Sequence, residues 1–554
     1  MTDARASLYG AHAAAVAVLA LGFLDCGADV SGAASEGGIG DDSAFGGSVG
    51  TGGTSPGIAG TASGGTAMGG TSSDMDGGPL PPEPEIEIET AFDAPVATNR
   101  YVWTANPESG RVAFIDAETS AVRLAEAGFR PSTVVALPSR DDEDSALVLN
   151  EGSADATLFR VSGDALSRVM LDTHAGANAV AVAPSGRFAL VWTDAARFED
   201  EIDPTDGLQD VTVLDLGDEL RATRLAVGYR PSRVVFDAEE SRVLVVTQPG
   251  LSVIELGDDP RVAALVELTD NPASDSAARD VSVTPDGEVA LVRLDGSMEL
   301  VAVEVRSGRR RAIGLDGFVT DLDLSHDGER AFAMVGTSNV SSLVVLPLAT
   351  LDDPGSFEHV AIPNVTPRSV SLSADDRLAL LYTNSEENPY LTVLTSDGAW
   401  SDADGWSLDL KAPVLAVFAA PNGLHGIAFQ ATLPDSERRG AFSLISAQAD
   451  RAPKIIGTDA APVSVAYSAD GEHAVIATRD LRLAKYGAYL VHLEHLDETL
   501  ISLASPPLGA GIVARAGKAY VAQAHPEGRV TFIDLEDGGF TTLTGFELAG
   551  RVYE

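Results

Sequence analysis

Cysteine is almost absent: Cys26 is the only one in 554 residues. No internal disulfide can form, so packing alone must hold the fold. The same scarcity excludes a c-type haem, which needs a Cys-x-x-Cys-His run. Positive charge is also scarce. Lys and Arg total 37 against 82 Asp and Glu, a formal net charge of −45. A duplex or an anionic bilayer repels such a surface, so no nucleic-acid partner is expected. The charge fits a well-solvated exterior, and its sharper reading is a surface for cations or a basic partner. Hydrolase signatures are missing too: Gly-x-Ser-x-Gly occurs only in the low-complexity stretch, at 46–50 and 53–57, where no strand leads into a nucleophile elbow, and there is no His-Glu-x-x-His. No segment shows a helical apolar period.

What is present begins at the N-terminus. Arg5 precedes the apolar run Ala13-Ala-Ala-Val-Ala-Val-Leu-Ala-Leu-Gly-Phe-Leu24. At about 12 residues it is too short for a spanning helix and fits the core of an export signal. Cys26 follows at once. The arrangement resembles a bacterial lipoprotein signal, in which the cysteine is diacylated and becomes the new N-terminus. By that resemblance residues 1–25 are a signal peptide and Cys26 is the lipidated residue. Asp25 stands where that family places a small residue, and the alternative is a secretory signal cut nearby with Cys26 incidental. Residues 26–94 form a Gly/Ser/Thr-rich, then Pro-rich, stretch, as in Gly46-Gly-Ser-Val-Gly-Thr-Gly-Gly-Thr-Ser-Pro56. Such a segment buries too little apolar surface to offset its chain entropy and is expected to act as a disordered tether.

From residue 95 onward one pattern recurs: an alternating strand, a Pro/Asp/Gly turn, then an apolar strand. Ala179-Val-Ala-Val-Ala-Pro-Ser-Gly-Arg-Phe-Ala-Leu-Val191 returns as Val281-Ser-Val-Thr-Pro-Asp-Gly-Glu-Val-Ala-Leu-Val292. Further copies start at Leu322, Val370 and Val463, and weaker ones near Thr133, Arg233, Val414 and Gly511. The turn glycines or their equivalents fall near 186, 240, 287, 328, 376, 423, 471 and 517. A period of about 40–55 residues with four strand signals per unit is that of propeller blades. The expected fold is therefore all-β: about ten four-stranded antiparallel units spanning 95–554 in one ring. Two smaller rings, or a ring with two units misread, remain open.

The ends complement each other. Tyr101-Val-Trp-Thr-Ala-Asn-Pro-Glu-Ser-Gly-Arg-Val-Ala-Phe-Ile-Asp116 matches Tyr520-Val-Ala-Gln-Ala-His-Pro-Glu-Gly-Arg-Val-Thr-Phe-Ile-Asp534. The first unit opens on its second strand, and the tail Gly545–Glu554 parallels a segment leading into an innermost strand. The C-terminal strand is thus expected to close the ring, removing exposed edges. Tyr101-Val-Trp-Thr-Ala-Asn, Val112-Ala-Phe-Ile-Asp and Gly128-Phe-Arg-Pro-Ser resemble YVTN-type β-propeller repeat proteins of bacterial and archaeal surfaces. What the resemblance implies is a cell-surface interaction scaffold; it concerns fold more than chemistry.

Candidate chemistry is sparse. Asp200, Asp203, Asp206 and Asp210, with Gly207 for a tight turn, cluster oxygens suited to calcium, though a solvated acidic loop explains them as well. His492 and His495, at i and i+3 of a strand, face opposite sides and should not share a metal. Asp280, Asp321 and Arg368 are placed to line the channel. The long loops near 197–210, 384–390, 433–440 and 479–486 share one face and bring Arg438, Arg439, Arg479, Arg482, Lys485 and Tyr486 to it as a partner site. The expected protein is exported and held at the cell envelope by its lipid, as an outer-membrane lipoprotein or at the cell surface. It is a monomeric, non-catalytic ring binding a protein or glycan. The alternative is a metal-dependent, lactonase-like hydrolase or lyase acting at the channel mouth.

Overall fold

The computed structural model describes residues 95–545 apart from 141–142, 164, 199–206, 272–278, 338–339, 363–364, 385–386, 402–404, 434–436 and 526, together with the dipeptide Ala17–Val18. Consecutive strands pair antiparallel into ten blades. These are blade 1 (96–126), blade 2 (131–172), blade 3 (179–226), blade 4 (233–266), blade 5 (279–314), blade 6 (318–362), blade 7 (369–409), blade 8 (414–458), blade 9 (461–502) and blade 10 (507–544). Each is a four-stranded meander, from an innermost to an outer strand. Ala17–Val18 lies antiparallel to Val465 and Ser464 on the inner edge of blade 9. The described helices are single 3₁₀ turns such as Ala195–Arg197, and none is long and apolar enough to cross a membrane.

Burial explains the strand texture. Second and third strands are covered on both faces by neighbouring blades, so they read as unbroken apolar runs. Phe188–Trp192 and His425–Gln430 are buried throughout. Outer strands are covered on one face only, and Val122–Glu126 alternates. The apolar clusters accordingly lie between blades, as where Phe332 and Met334 of blade 6 meet Val370, Leu381 and Trp400 of blade 7. Each fully buried Leu, Val or Phe contributes about 1.5–3 kcal/mol.

The hairpin from innermost to second strand is a small device repeated around the ring. Gly287 N–H donates to Thr284 O (2.8 Å), closing a turn, and Gly287 then takes φ +66°. Thr284 Oγ1 donates to Asp286 Oδ1 (2.6 Å) and accepts from Val289 N–H (3.0 Å), while Asp286 Oδ1 accepts from Glu288 N–H (3.0 Å). Ser325/Asp327, Ser373/Asp375 and Ser468/Asp470 make the same bonds. Four residues, 285–288, lie between the bonded pair Thr284 and Val289, a hairpin loop built around a single turn. All eight predicted turn positions, from Gly186 to Gly517, are left-handed. At two of them glycine is missing, and the acid in its place reaches the preceding blade. Glu240 accepts from Ser185 N–H and Oγ, and Asp376 accepts from His326 N–H (2.9 Å) and lies 2.8 Å from His326 Nδ1.

The closure differs from the expectation. The innermost strand of blade 1 is Val96–Ala97, paired with Trp103 and Val102, in the position assigned to the C-terminal strand. Two residues carry no period, so the sequence hid them. Residues 546–554 lie outside the described residues. Among the described residues the ring closes by packing of blade 10 on blade 1 through Val102, Ile115, Val513, Tyr520 and Phe532. Tyr520 Oη, fully buried, donates to Pro95 O (2.9 Å), and Lys518 Nζ donates to Ala117 O (2.9 Å).

Candidate functional site

A meander has two ends. Turns between first and second strands, and between third and fourth, lie on one face of the ring, here the turn face. Second-to-third hairpins and the crossings between blades lie on the other, the loop face. The turn face is locked and acidic. Besides the Ser/Thr-x-Asp turns, Asp116 Oδ1 accepts from Glu118 N–H (2.9 Å) and Thr119 N–H (3.0 Å), and Asp215 and Asp534 cap their turns likewise. Part of the negative charge is thus turn chemistry: a carboxylate satisfies backbone donors that strands leave behind. Burial opposes ionisation of Asp116, but hydrogen bonds from Arg100 and Thr119 N–H outweigh it and hold the carboxyl below its usual range.

The loop face is irregular and partly apolar. Exposed large apolar side chains on this face include Phe129, Phe198, Met298, Val340, Tyr390, Leu481 and Leu483, whereas Leu424, Val122 and Phe540 stand at turn-face ends. The other exposed apolar residues, such as Leu265 and Leu500, sit on outer strands at the rim.

Blades 8 and 9 bring the six predicted partner residues onto this face on neighbouring hairpins. Arg438 pairs with Asp459 and lays its stem over Gly457, whose Cβ would sit 3.0 Å from Arg438 Cγ. Arg439, Arg482 and Lys485 are exposed. Arg479 differs: it is half-buried and donates to Pro507 O (3.3 Å), tying blade 9 to blade 10. Tyr486 is half-buried against the apolar cluster between the same blades. Leu481 and Leu483, 65% and 44% exposed, form the tip between the cations, where Asp480 Oδ1 accepts from Leu483 N–H (2.9 Å). Reasoning from charge alone missed them. Their signal was the alternation Leu481-Arg482-Leu483 in a hairpin with no strand to cover it.

The channel residues are structural ties. At the matching position of each inner strand, blades 4, 5 and 6 carry Arg233, Asp280 and Asp321, whereas Ala179, Ser369, Ala416, Ser464 and Ala510 stand in other blades. Arg233 Nη1 lies 3.8 Å from Asp280 Oδ1 and donates to Val281 O (3.1 Å). Asp321 accepts from Leu322 N–H (2.9 Å) and, across to blade 7, from Val370 N–H (2.8 Å). Thr320 Oγ1 donates to Arg368 O (2.6 Å), and Arg368 is buried. These groups stitch inner edges together.

Of the aspartates expected to hold calcium, Asp200, Asp203 and Asp206 lie outside the described residues. Asp210 opens the third strand of blade 3, and Gly207 takes φ +63° as the turn requires. Near Asp210 the buried His174 ring lies 3.0 Å from Thr212 Oγ1 and 3.2 Å from Thr193 Oγ1. Burial, with Arg224 adding to it and Asp210 opposing it, pushes its pKa down to about 4. It is a neutral bolt between blades 2 and 3.

No family model matches the chain, and no curated protein matches it. Solved structures similar to it include a "eukaryotic initiation factor" (11% identity, 79% of this chain and 95% of that one, TM-score 0.46). Others are "Dihydro-heme d1 dehydrogenase NirN in complex with DHE" (14%, 67% and 78%, 0.41) and the "C-Terminal WD40 Domain Of Sif2" (10%, 72% and 96%, 0.38). The ten-bladed assignment stands on this chain's own strand pairing.

Proposed function

We propose that this ring is a non-catalytic docking scaffold whose loop face receives a protein or glycan partner at the cell envelope. The observation that carries the reading is the split between faces. Loop-borne apolar side chains and the cations Arg439, Arg482 and Lys485 gather on the loop face, while the turn face spends its polar groups on itself. An exposed apolar tip flanked by charge marks contact surfaces, and loops on a rigid scaffold are where recognition is built. The resemblance to YVTN-type surface proteins and the export-signal pattern ending at Cys26 support the envelope location. A hydrolase or lyase at the channel mouth gains nothing from Asp280 and Asp321, which serve backbone N–H groups.

The test is site-specific photocrosslinking in native envelopes. A crosslinker at Leu481 should give a discrete adduct that Arg482→Glu abolishes, and one at Asp258 on the turn face should give none. Equal labelling from both faces would overturn the assignment. For the anchor, Cys26→Ala should release the chain from the membrane fraction; retention there would remove the lipid.

A further inference from the structure

Blade 9 holds a cluster that the docking role does not use. His473 opens its second strand, and His492 ends its third; the two stand directly opposite in the antiparallel register. Their ring centroids are 4.9 Å apart. Two imidazoles on one tetrahedral zinc, at about 2.0–2.1 Å per bond, place their centroids roughly 5 Å apart. Side-chain donor atoms of Asp470, Glu472 and His473 all lie within 4.8 Å of one another.

The support is built in. Asp470 Oδ1 is fixed by Ser468 Oγ (2.5 Å) and Glu472 N–H (3.0 Å), leaving Oδ2 to a ligand. Asn422 of blade 8 donates to Gly471 O (2.7 Å), and a Cβ on Gly471 would sit 2.7 Å from Asn422, so the turn is held by its neighbour. Leu493 N–H donates to Glu472 O (2.9 Å), binding the His492 strand end to the same turn. At the same position other blades put other pairs: Arg242 faces Glu255, Val289 faces Glu304 and Leu378 faces Thr395.

We propose that blade 9 carries a binding site for a divalent zinc-class cation, formed by His473, His492, Asp470 and Glu472 on the turn face. Two imidazoles select borderline metals such as Zn²⁺, Ni²⁺ or Cu²⁺ over Ca²⁺ and Mg²⁺, which prefer all-oxygen sites. The site is open on its solvent side, since Asp470 and Glu472 are exposed. It is separate from the channel and from the loop face.

Calorimetric titration of the metal-stripped full-length protein with ZnCl₂ tests this. One Zn²⁺ per chain is expected, with affinity falling at least tenfold in His473→Gln and in His492→Gln and unaffected by excess CaCl₂. No saturable zinc binding, or unchanged binding in the double variant, overturns the site. Zinc-edge anomalous diffraction needs no variant: the peak belongs between the two rings, and its absence there also overturns it.

Discussion

The two faces of the ring are built from the same strands yet obey different rules. On the turn face blades 5, 6, 7 and 9 reverse by one device, a Ser or Thr bonded to an Asp two residues on and a left-handed residue after it. The device consumes its own polar groups and presses against the neighbouring blade. On the loop face no such rule holds: hairpins vary in length, Leu481 and Leu483 stand out, and Arg479 and Arg438 are drawn to other segments. Repetition therefore serves stability on one side and leaves the other free to vary. Substitutions should separate the faces in the same way.

The largest effect is expected at Gly328. Its φ is +69°, and a Cβ would lie 2.5 Å from Pro285 Cδ of the preceding blade. Gly328→Val should cost about 3 kcal/mol or more in denaturant unfolding, adding backbone strain to a clash between blades. A neutral result would mean that the blades can slide apart at little cost.

Next come two histidines on opposite faces with opposite pH behaviour. His174, at the loop face, has its folded pKa depressed to about 4, so the unfolded chain binds the extra proton first. Its contribution is fully present above the ordinary histidine value of about 6.5 and is lost as pH falls towards 4, by on the order of 3 kcal/mol. His326, at the turn face, has its pKa raised, chiefly by the hydrogen bond to Asp376. Its contribution is present below the unfolded pKa and fades as pH rises through the folded one. Because the ring is half exposed, this amounts to a few tenths of a kcal/mol. Unfolding curves from pH 4 to 8 for wild type, His174→Gln and His326→Gln should show each slope removed separately. Matching slopes in both variants would contradict the assignment.

Asp327→Ala removes two turn bonds, from Ser325 Oγ and Glu329 N–H, and should cost about 1–2 kcal/mol by thermal melting. The smallest stability change, within about 0.5 kcal/mol, is expected for Leu481→Ser with Arg482→Glu, since neither touches the core. With the crosslinker moved to Leu483, that pair should nevertheless abolish the adduct. Loss of stability there would make the hairpin tip part of the scaffold.

Legibility followed sequence distance. The eight turn residues were readable because turn chemistry is local: Asp-Gly, Ser-Gly or Asn-Gly between two apolar runs marks a left-handed residue within a few positions. The weaker copies at Arg233 and Val414 also proved to be innermost strands. Val96–Ala97 was too short to register as a strand. Arg479 and Tyr486 looked like surface groups, and only the neighbouring blade shows what they hold. His492 ends its strand and His495 lies in the turn that follows, so the strand alternation expected of the pair does not apply; the facing partner of His492 is His473, and nothing in either local segment announces a pairing across strands.

The sequence by itself determined the blade period and the turn conformations, because each is written in local strand and turn residues. Tertiary structure decided how the ring closes, which face each loop joins and which side chains meet between blades. Those depend on register and on neighbours a whole repeat away, as Tyr520 meeting Pro95 across 425 positions shows.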